Sequence, residues 1–386
     1  MLIGGGVYTE TCVTPARIAL FGSGGRAAMV AVDLGGAVVL HTFHPEALRD
    51  DIEANFNPAG IRVVAHPSPR RLCFEYLHPM ARPRITPLPT GHAITVPLEG
   101  EEVLRFGCIE GDFRVAAARA VYDPQSGSDP APFGANGSTA GSLAMILNAN
   151  ELRGMAGTDD LGHAATYVMR DAASTVLVVK DGPAGAYVFD GTGSPRHVPA
   201  YPTDSVYKIG SGDVFSATFA HAWMSDRAEA AEAADRASRR TAQYVEAPVF
   251  PLPSKLPNRA PGRSDARGRR VLLAVDGGTA SRRWVREEAV RGLRDLGATV
   301  VPGDGCFPGD RGSVPASVDR ATFDVVLAHA DDRRTAAAAL RAALALGKPV
   351  VVFADDPAAL EAAGKLGVPG SADLCSALYQ TQWVRL

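Results

Sequence analysis

The sequence predicts an α/β protein of two successive units, each a sheet flanked by helices, and three observations carry that prediction. From residue 103 onward short apolar strands alternate with helical stretches. That pattern forms a parallel, three-layer α/β/α sheet with ligands at the C-terminal ends of its strands. Residues 248–269 hold five prolines, much arginine and few large apolar side chains, the composition of a linker. Immediately afterwards, over residues 270–275, the strand pattern begins again.

Taken in order, residues 2–50 read strand, loop, strand, glycine-rich turn and helix. The turn is Gly22-Ser23-Gly24-Gly25-Arg26, and a helix of small residues follows from Ala27 to Gly35. Residues 61–65, 72–76 and 92–96 alternate apolar and polar between Pro- and Gly-rich turns, which predicts β-hairpins. Then come a strand at 103–108, a helix at 112–119, a strand at 120–125, a helix at 138–145 and an apolar run ending at Asn148. Asp123, Asn148 and Lys180 all fall at strand ends, and the Gly/Pro/Ser/Asp loop 126–138 is flexible enough to move with a ligand. A long Ala/Glu/Arg helix over 225–245 closes the first unit. The second unit reads strand 270–275, helix 282–296, strands 299–301 and 323–328, helix 333–346 and strand 349–353, close to a flavodoxin-like pattern.

Composition narrows the function classes. The chain has 386 residues with 46% hydrophobic and 21% charged side chains, ordinary for a globular protein with a sizeable core. A net charge of −3 points to neither a nucleic acid nor an anionic membrane as partner. Five scattered cysteines without a C-x-x-C pair predict reduced thiols in a cytoplasmic protein rather than a disulfide framework or structural zinc. The N-terminus has no basic region and reads as a first strand, not a signal peptide. His41, His44 and His66 have no metal-ligand spacing. Only five of the basic residues are lysines, which makes Lys180 and Lys208 stand out.

The stretch that bears chemistry is Gly210-Ser211-Gly212-Asp213, followed by an apolar run at helical spacing. Two glycines around a serine let the backbone turn tightly at a helix N-terminus, where free N–H groups and the helix dipole favour an anion. Asp213 then stands where a general base would be wanted. An ordinary helix cap on a buried helix fits the same residues.

Three motifs in order make the first unit resemble the ribokinase/PfkB carbohydrate kinases. Gly210-Ser211-Gly212-Asp213 resembles that family's G-A-G-D signature, 178–186 its strand ending in K/T-x-G-x-x-G, and Asn148-Ala149-Asn150-Glu151 its N-x-x-E. The resemblance implies a three-layer ribokinase-like domain over 1–247 with a small β-lid that covers the substrate and can pair two copies. It implies ATP and Mg²⁺ as cofactors and a sugar or nucleoside as acceptor. Asp213 would take the hydroxyl proton, and the backbone of Gly210, Ser211 and Gly212 would form the anion hole. Glu151 would act on Mg²⁺ through water and Asn148 on phosphate, while Lys180, Gly182 and Gly185 would line the nucleotide's approach. Asn148 and Glu151 also fit a helix N-cap with its N3 acid. Gly24 and Gly25 fall in the sugar-holding G-G-x-x-x-N segment, and Glu10 stands near the family's substrate-binding Asp, where a solvated loop acid fits equally.

Departures from the pattern matter as much. The family's sugar-binding Asn falls on Arg26, whose donor-only fork suits a carboxylate or phosphate, so either the acceptor carries an anion or Arg26 is structural and the sugar site has been lost. The family's D-T-T is Tyr207-Lys208-Ile209 here, which removes the oxygens that help hold a monovalent cation; the Lys208 ammonium could replace that charge. After the linker 248–269, residues 270–386 resemble the nucleoside 2-deoxyribosyltransferases through 323–328 and 345–350, but the position of their nucleophilic Glu is Ala339. This domain is expected to bind or regulate rather than catalyse. Two functions follow: an ATP-dependent kinase for a small-molecule hydroxyl, or a catalytically degenerate kinase-like fold that binds a nucleotide or sugar phosphate and signals through its neighbour domain.

The Tyr207-Lys208-Ile209 change predicts activity independent of K⁺. Exchanging K⁺ for Na⁺ at fixed ionic strength should leave the rate unchanged, and a K⁺ requirement would overturn the argument.

Overall fold

The computed structural model describes residues 1–88, 94–126, 130–262, 268–275, 278–303, 320–330, 337, 340, 341 and 347–385. The chain opens with β1 (Leu2–Gly4), β2 (Thr9–Cys12), β3 (Arg17–Leu20), α1 (Gly22–Asp33), β4 (Val39–His44), α2 (Arg49–Phe56), β5 (Arg62–Pro67), β6 (Cys73–Tyr76) and β7 (Arg84–Thr86). Two long strands follow, β8 (Ile94–Phe106) and β9 (Gly111–Asp123), then β10 (Thr139–Asn148), α3 (Ala149–Ala156), α4 (Leu161–Asp171), β11 (Val176–Lys180), β12 (Ala186–Phe189), β13 (Arg196–Val198), α5 (Ser211–Ala220) and α6 (Ala230–Glu246). The remainder forms β14 (Arg270–Ala274), α7 (Ala280–Asp295), β15 (Thr299–Pro302), β16 (Val325–His329), β17 (Val350–Phe353), α8 (Pro357–Lys365), β18 (Gly370–Ser371) and α9 (Leu374–Trp383).

These strands make three sheets. The largest runs β13-β12-β11-β10-β9-β8-β1-β4-β5, parallel from β5 to β11 and antiparallel at β12 and β13. A small sheet, β3-β2-β6-β7, stands apart from it. The third, β15-β14-β16-β17-β18, is parallel throughout.

Two expected helices are strands. Residues 112–119 lie in β9 and 138–145 largely in β10. The Ala-rich run 116–118 favours a helix by propensity, which is a weak term. It yields to a ladder in which β9 pairs with β8 along most of its length, and Phe113 and Val115 point inward while Arg114 and Ala116 point outward. The hairpin expectation also divides. Residues 61–65 and 92–96 fall largely on β5 and β8 of the main sheet, while 72–76 supply β6 of the small one. The helix expected from Ala27 already begins at Gly22. The helix expected at 333–346, with Ala339, falls almost wholly outside the described residues.

Residues 248–262 are not a free tether. The Phe250 ring packs against Phe21 and Tyr244 at 5.4 and 5.9 Å, and the N–H of buried Leu252 donates to Asp33 at 2.7 Å. One apolar cluster runs from Ile3 and Phe106 through Phe219 and Tyr244 to Leu273, Leu293 and Leu378. The third sheet and its helices therefore share a core with the first. Helix α9 makes the join: the Val206 N–H donates to Ser376 at 2.8 Å, and the Trp383 indole donates to the Pro183 carbonyl at 3.1 Å.

The start of α1 is wedged under the end of β1, and only glycine fits there. A Cβ on Gly24 would lie 2.6 Å from the Gly5 carbonyl carbon, backbone that has no room to yield. Gly24→Ala should destabilise the protein by about 1–3 kcal/mol through overpacking. Gly364→Ala, whose Cβ meets nothing within 4 Å inside α8, should be neutral or stabilise by about 0.5–1 kcal/mol. Urea midpoints of the two variants test the contrast.

Candidate functional site

The parallel register brings three strand ends to one edge. Phe106 pairs with Asp123 and Asn148 with Lys180, so the C-terminal ends of β9, β10 and β11 line up beside the start of α5. Lys180 Nζ lies 2.8 Å from Asp123 Oδ2, and the Ser216 hydroxyl donates to the same oxygen at 2.6 Å. Asn148 caps α3 in a full capping box: its side chain accepts from the N–H groups of Asn150 and Glu151, and Glu151 accepts from the Asn148 N–H at 2.7 Å. Burial, with the Asp123 charge nearby, pushes the Glu151 carboxyl up to about 7 against the opposing pull of Lys180.

Gly210 precedes α5 at φ +80°, a left-handed turn that glycine adopts without strain. Ser211, Gly212 and Asp213 form the first turn. Asp213 is buried, and its carboxylate accepts from Arg26 Nη1 at 2.7 Å and from Gln125 Nε2 at 2.6 Å. Arg26, only 2% exposed, also pairs with Glu10 through both terminal nitrogens and donates from Nε to the Tyr244 hydroxyl at 2.9 Å. Its guanidinium covers Gly210 so closely that a Cβ there would lie 2.1 Å from Arg26 Nε.

One guanidinium between two carboxylates leaves the group with a formal charge of −1. Burial raises the Asp213 pKa, with Arg26 opposing it. Burial alone would lower the Arg26 pKa, but Glu10, Tyr244 and Asp213 together hold it well above the ordinary value. Arg26 thus has its charge met within the fold and offers no free cation to an anionic acceptor. Of the two sequence readings of Arg26, the geometry matches the structural one. Glu10 lies on β2 of the small sheet, so this ion-pair group ties that sheet to α1 and α5.

On the other side of the α5 start lies a cavity of about 730 Å³. Asn148, Lys180, Gly182, Gly185, Lys208, Ser211 and Gly212 line it, all of them singled out from sequence. Gly182 and Gly185 make their loop with φ of +54° and +101°. The remaining candidates divide among buried positions. Glu10, Arg26 and Asp213 form the ion-pair group, Asp123 and Glu151 lie behind Lys180, and Gly24 and Gly25 pack against Gly5 and Phe56.

Sequence reasoning missed several residues. Gln125 aims its amide at Asp213 from a backbone with φ +50°, uncommon outside glycine, and nothing in its local pattern announces that. Tyr244 reaches Arg26 across 218 positions of sequence. Arg294, Leu296, Tyr379 and Trp383 come to the cavity from beyond residue 270. Among the described residues no group of three or more His, Cys, Asp or Glu side chains could hold a metal, and no helix is long and apolar enough to cross a membrane.

Comparison with known proteins finds likenesses to part of the first unit. Residues 121–251 match the family model of the pfkB family carbohydrate kinases. A pyrophosphate-dependent kinase of the ribokinase family, solved with a pyrophosphate analog and myo-inositol, is 17% identical at a TM-score of 0.50, covering 66% of this chain and 98% of that one. A sulfate complex of a pyrophosphate-dependent kinase of that family gives 18%, 0.50, 66% and 97%. Ribokinase from Thermotoga maritima gives 18%, 0.46, 66% and 95%. At these identities the likeness is one of fold: the structure has ribokinase-family neighbours. No curated protein matches the chain.

Removing Arg26 would strand two buried carboxylates, so Arg26→Ala should cost about 3–5 kcal/mol of stability near neutral pH. Asp213, which burial already raises, then loses the cation that opposes the rise, so its folded-state pKa stands above its unfolded one. Protonation favours the folded form, and the deficit relative to wild type should shrink as pH falls from 8 to 5. A deficit that stays flat over that range would overturn the charge argument.

Proposed function

We propose that the protein transfers the terminal phosphoryl group of ATP to a hydroxyl of a small sugar or nucleoside. One observation carries this reading. Ser211 and Gly212 face the cavity with Lys180, while Asp213, the next residue, is bonded on the acceptor side to Arg26. A donor phosphate and an acceptor hydroxyl would then meet at a single helical turn. The match of residues 121–251 to a kinase family supports it.

In this reading the acceptor's hydroxyls take over the hydrogen bonds that Arg26 N–H groups make to Glu10 and Asp213. Arg26 must therefore swing aside when the acceptor enters. As the acceptor oxygen bonds to the γ-phosphorus and the bond to the ADP oxygen breaks, the hydroxyl proton passes to Asp213. Backbone N–H groups of Gly210 and Gly212 hold the charge on the transferring group, the Ser211 N–H being taken by the Lys208 carbonyl at 3.0 Å, and Lys180 offsets part of that charge. Glu151 fits Mg²⁺, because one buried carboxylate suits a cation that keeps most of its waters, and the metal would neutralise the donor's phosphates. The apolar side of the cavity, with Val206, Phe215 and Val245, suits a nucleobase and favours ATP over pyrophosphate as donor. The parallel sheet of the second unit and its resemblance to nucleoside-handling enzymes add weight to a nucleoside ligand.

A second reading rests on Arg26 lying over Gly210: the acceptor side is permanently filled, and the fold binds a nucleotide without turnover. ADP release with sugars, cyclitols and nucleosides, using ATP or pyrophosphate as donor, separates the two. Acceptor-dependent release that falls at least ~10²-fold in Asp213→Ala supports the kinase. Binding of ATP without turnover of any acceptor supports the silent form.

If the kinase is active, its rate should fall on the acid side of about 7, the pH at which metal-free Glu151 takes up a proton, and added Mg²⁺ should move that limb to lower pH by competing with the proton. Glu151→Gln should be slower and lack that limb of the profile. An unchanged limb would remove Glu151 from the role.

A further inference from the structure

The cavity beside α5 is not made by the kinase-like unit alone. Its charged lining is Arg82, Arg153, Lys180, Lys208, Arg294 and Asp295. Arg153 is paired with Asp159 at 3.1 Å, Lys180 with Asp123 at 2.8 Å, and Asp295 with Arg291 at 3.1 Å. Among the described residues, the side chains of Arg82, Lys208 and Arg294 make no hydrogen bond or ion pair. Three unmet cations thus face a cavity whose one acid is already matched. They come from three places: the β6–β7 connection, the loop before α5, and the last turn of α7.

Their convergence is built in. The β6–β7 connection is fastened to α7 by Arg291 Nη1 donating to the Met80 carbonyl at 3.0 Å and by His78 Nε2 lying 2.8 Å from Glu288. Arg82 is two residues beyond Met80, and Arg294 is one helical turn beyond Arg291. Leu296, Tyr379 and Trp383, from beyond residue 270, also line the cavity. The Leu296 side chain and the Tyr379 hydroxyl would lie 3.8 and 3.9 Å from a Cβ on Gly182.

We infer that α7 and the β6–β7 connection complete a polyphosphate-binding cavity, with Arg82 and Arg294 binding the phosphates of a ligand held between the two units. This rests on the donor reading above and adds residues outside the kinase-like unit to it. Exposed, unpaired guanidiniums suit a ligand with at least two phosphates, because each oxyanion can accept from a fork of N–H groups. A ligand bound there bridges both units and stabilises their contact by mass action.

The test is calorimetric binding of ADP, inorganic pyrophosphate and adenosine to the full chain and to the variants Arg82→Ala, Arg294→Ala, Lys208→Ala and Arg62→Ala, the last an exposed control on β5. Melting temperatures of the free variants check folding. We expect Arg82→Ala and Arg294→Ala each to weaken ADP and pyrophosphate about tenfold and to leave adenosine unchanged. Wild-type binding should also fall with added salt. Tighter ADP than pyrophosphate would identify a nucleotide as the ligand, and the reverse an inorganic polyphosphate; either upholds the site. ADP binding that weakens in Lys208→Ala but not in the two arginine variants would overturn the inference and leave the donor reading standing. A wild type that binds neither phosphate ligand would overturn both.

Discussion

The Arg26 guanidinium is the interaction on which the rest of the site depends. It is buried between Glu10 and Asp213 and joins three elements: the small sheet, the start of α1 and the start of α5. A lone buried charge of this kind would be costly, and so would either carboxylate without it. The three groups therefore hold one another in place, with Gln125 and Tyr244 taking up further hydrogen bonds. Asp213 combines burial, which favours its protonated form, with a cation that favours its charged form. A carboxylate balanced in this way is sensitive to whatever replaces the guanidinium.

This arrangement separates the site into two unlike halves. The side of Asp213 is dry, charged and filled by protein. The side of Ser211 and Gly212 is an open cavity with apolar walls and unmet cations. The start of α5 lies between them, and α6 also serves both halves: Tyr244 bonds to Arg26, while Ala242 and Val245 line the cavity. In the proposed reaction, the first turn of α5 lets one residue serve the acceptor while its neighbours serve the donor. Lys180 lies beneath the join, already held by Asp123, so its position does not depend on a ligand.

Much of the cavity half was legible in the sequence, because it is built from local patterns. A glycine loop entering a helix, an Asn with an acid three residues on, and a lysine ending an apolar strand each signal their own geometry within a few residues. The structure brings them together because parallel strands end on the same edge. Misreadings arose where local preference and tertiary pairing disagree. The alanines at 116–118 favour a helix on their own, and only β8 alongside makes them a strand. The composition of 248–269 suggests a tether, yet Phe250 and Leu252 find apolar surface that no local pattern foretells.

By itself, then, the sequence determined the α/β class, the strand ends that carry Asp123, Asn148 and Lys180, and the glycine turn before Asp213. Each follows from backbone geometry and hydrophobic periodicity over short spans. The tertiary structure alone decided what Arg26 does and who owns the cavity. From sequence, a guanidinium could face a ligand or an internal acid, and the choice rests on Glu10 and Asp213, 16 positions before it and 187 after. Arg82 and Arg294 reach one cavity for a related reason, since they stand 212 positions apart and the packing of α7 against the β6–β7 connection closes that distance. Contacts of this separation are set by the shape of the whole core, which no stretch of the chain encodes alone.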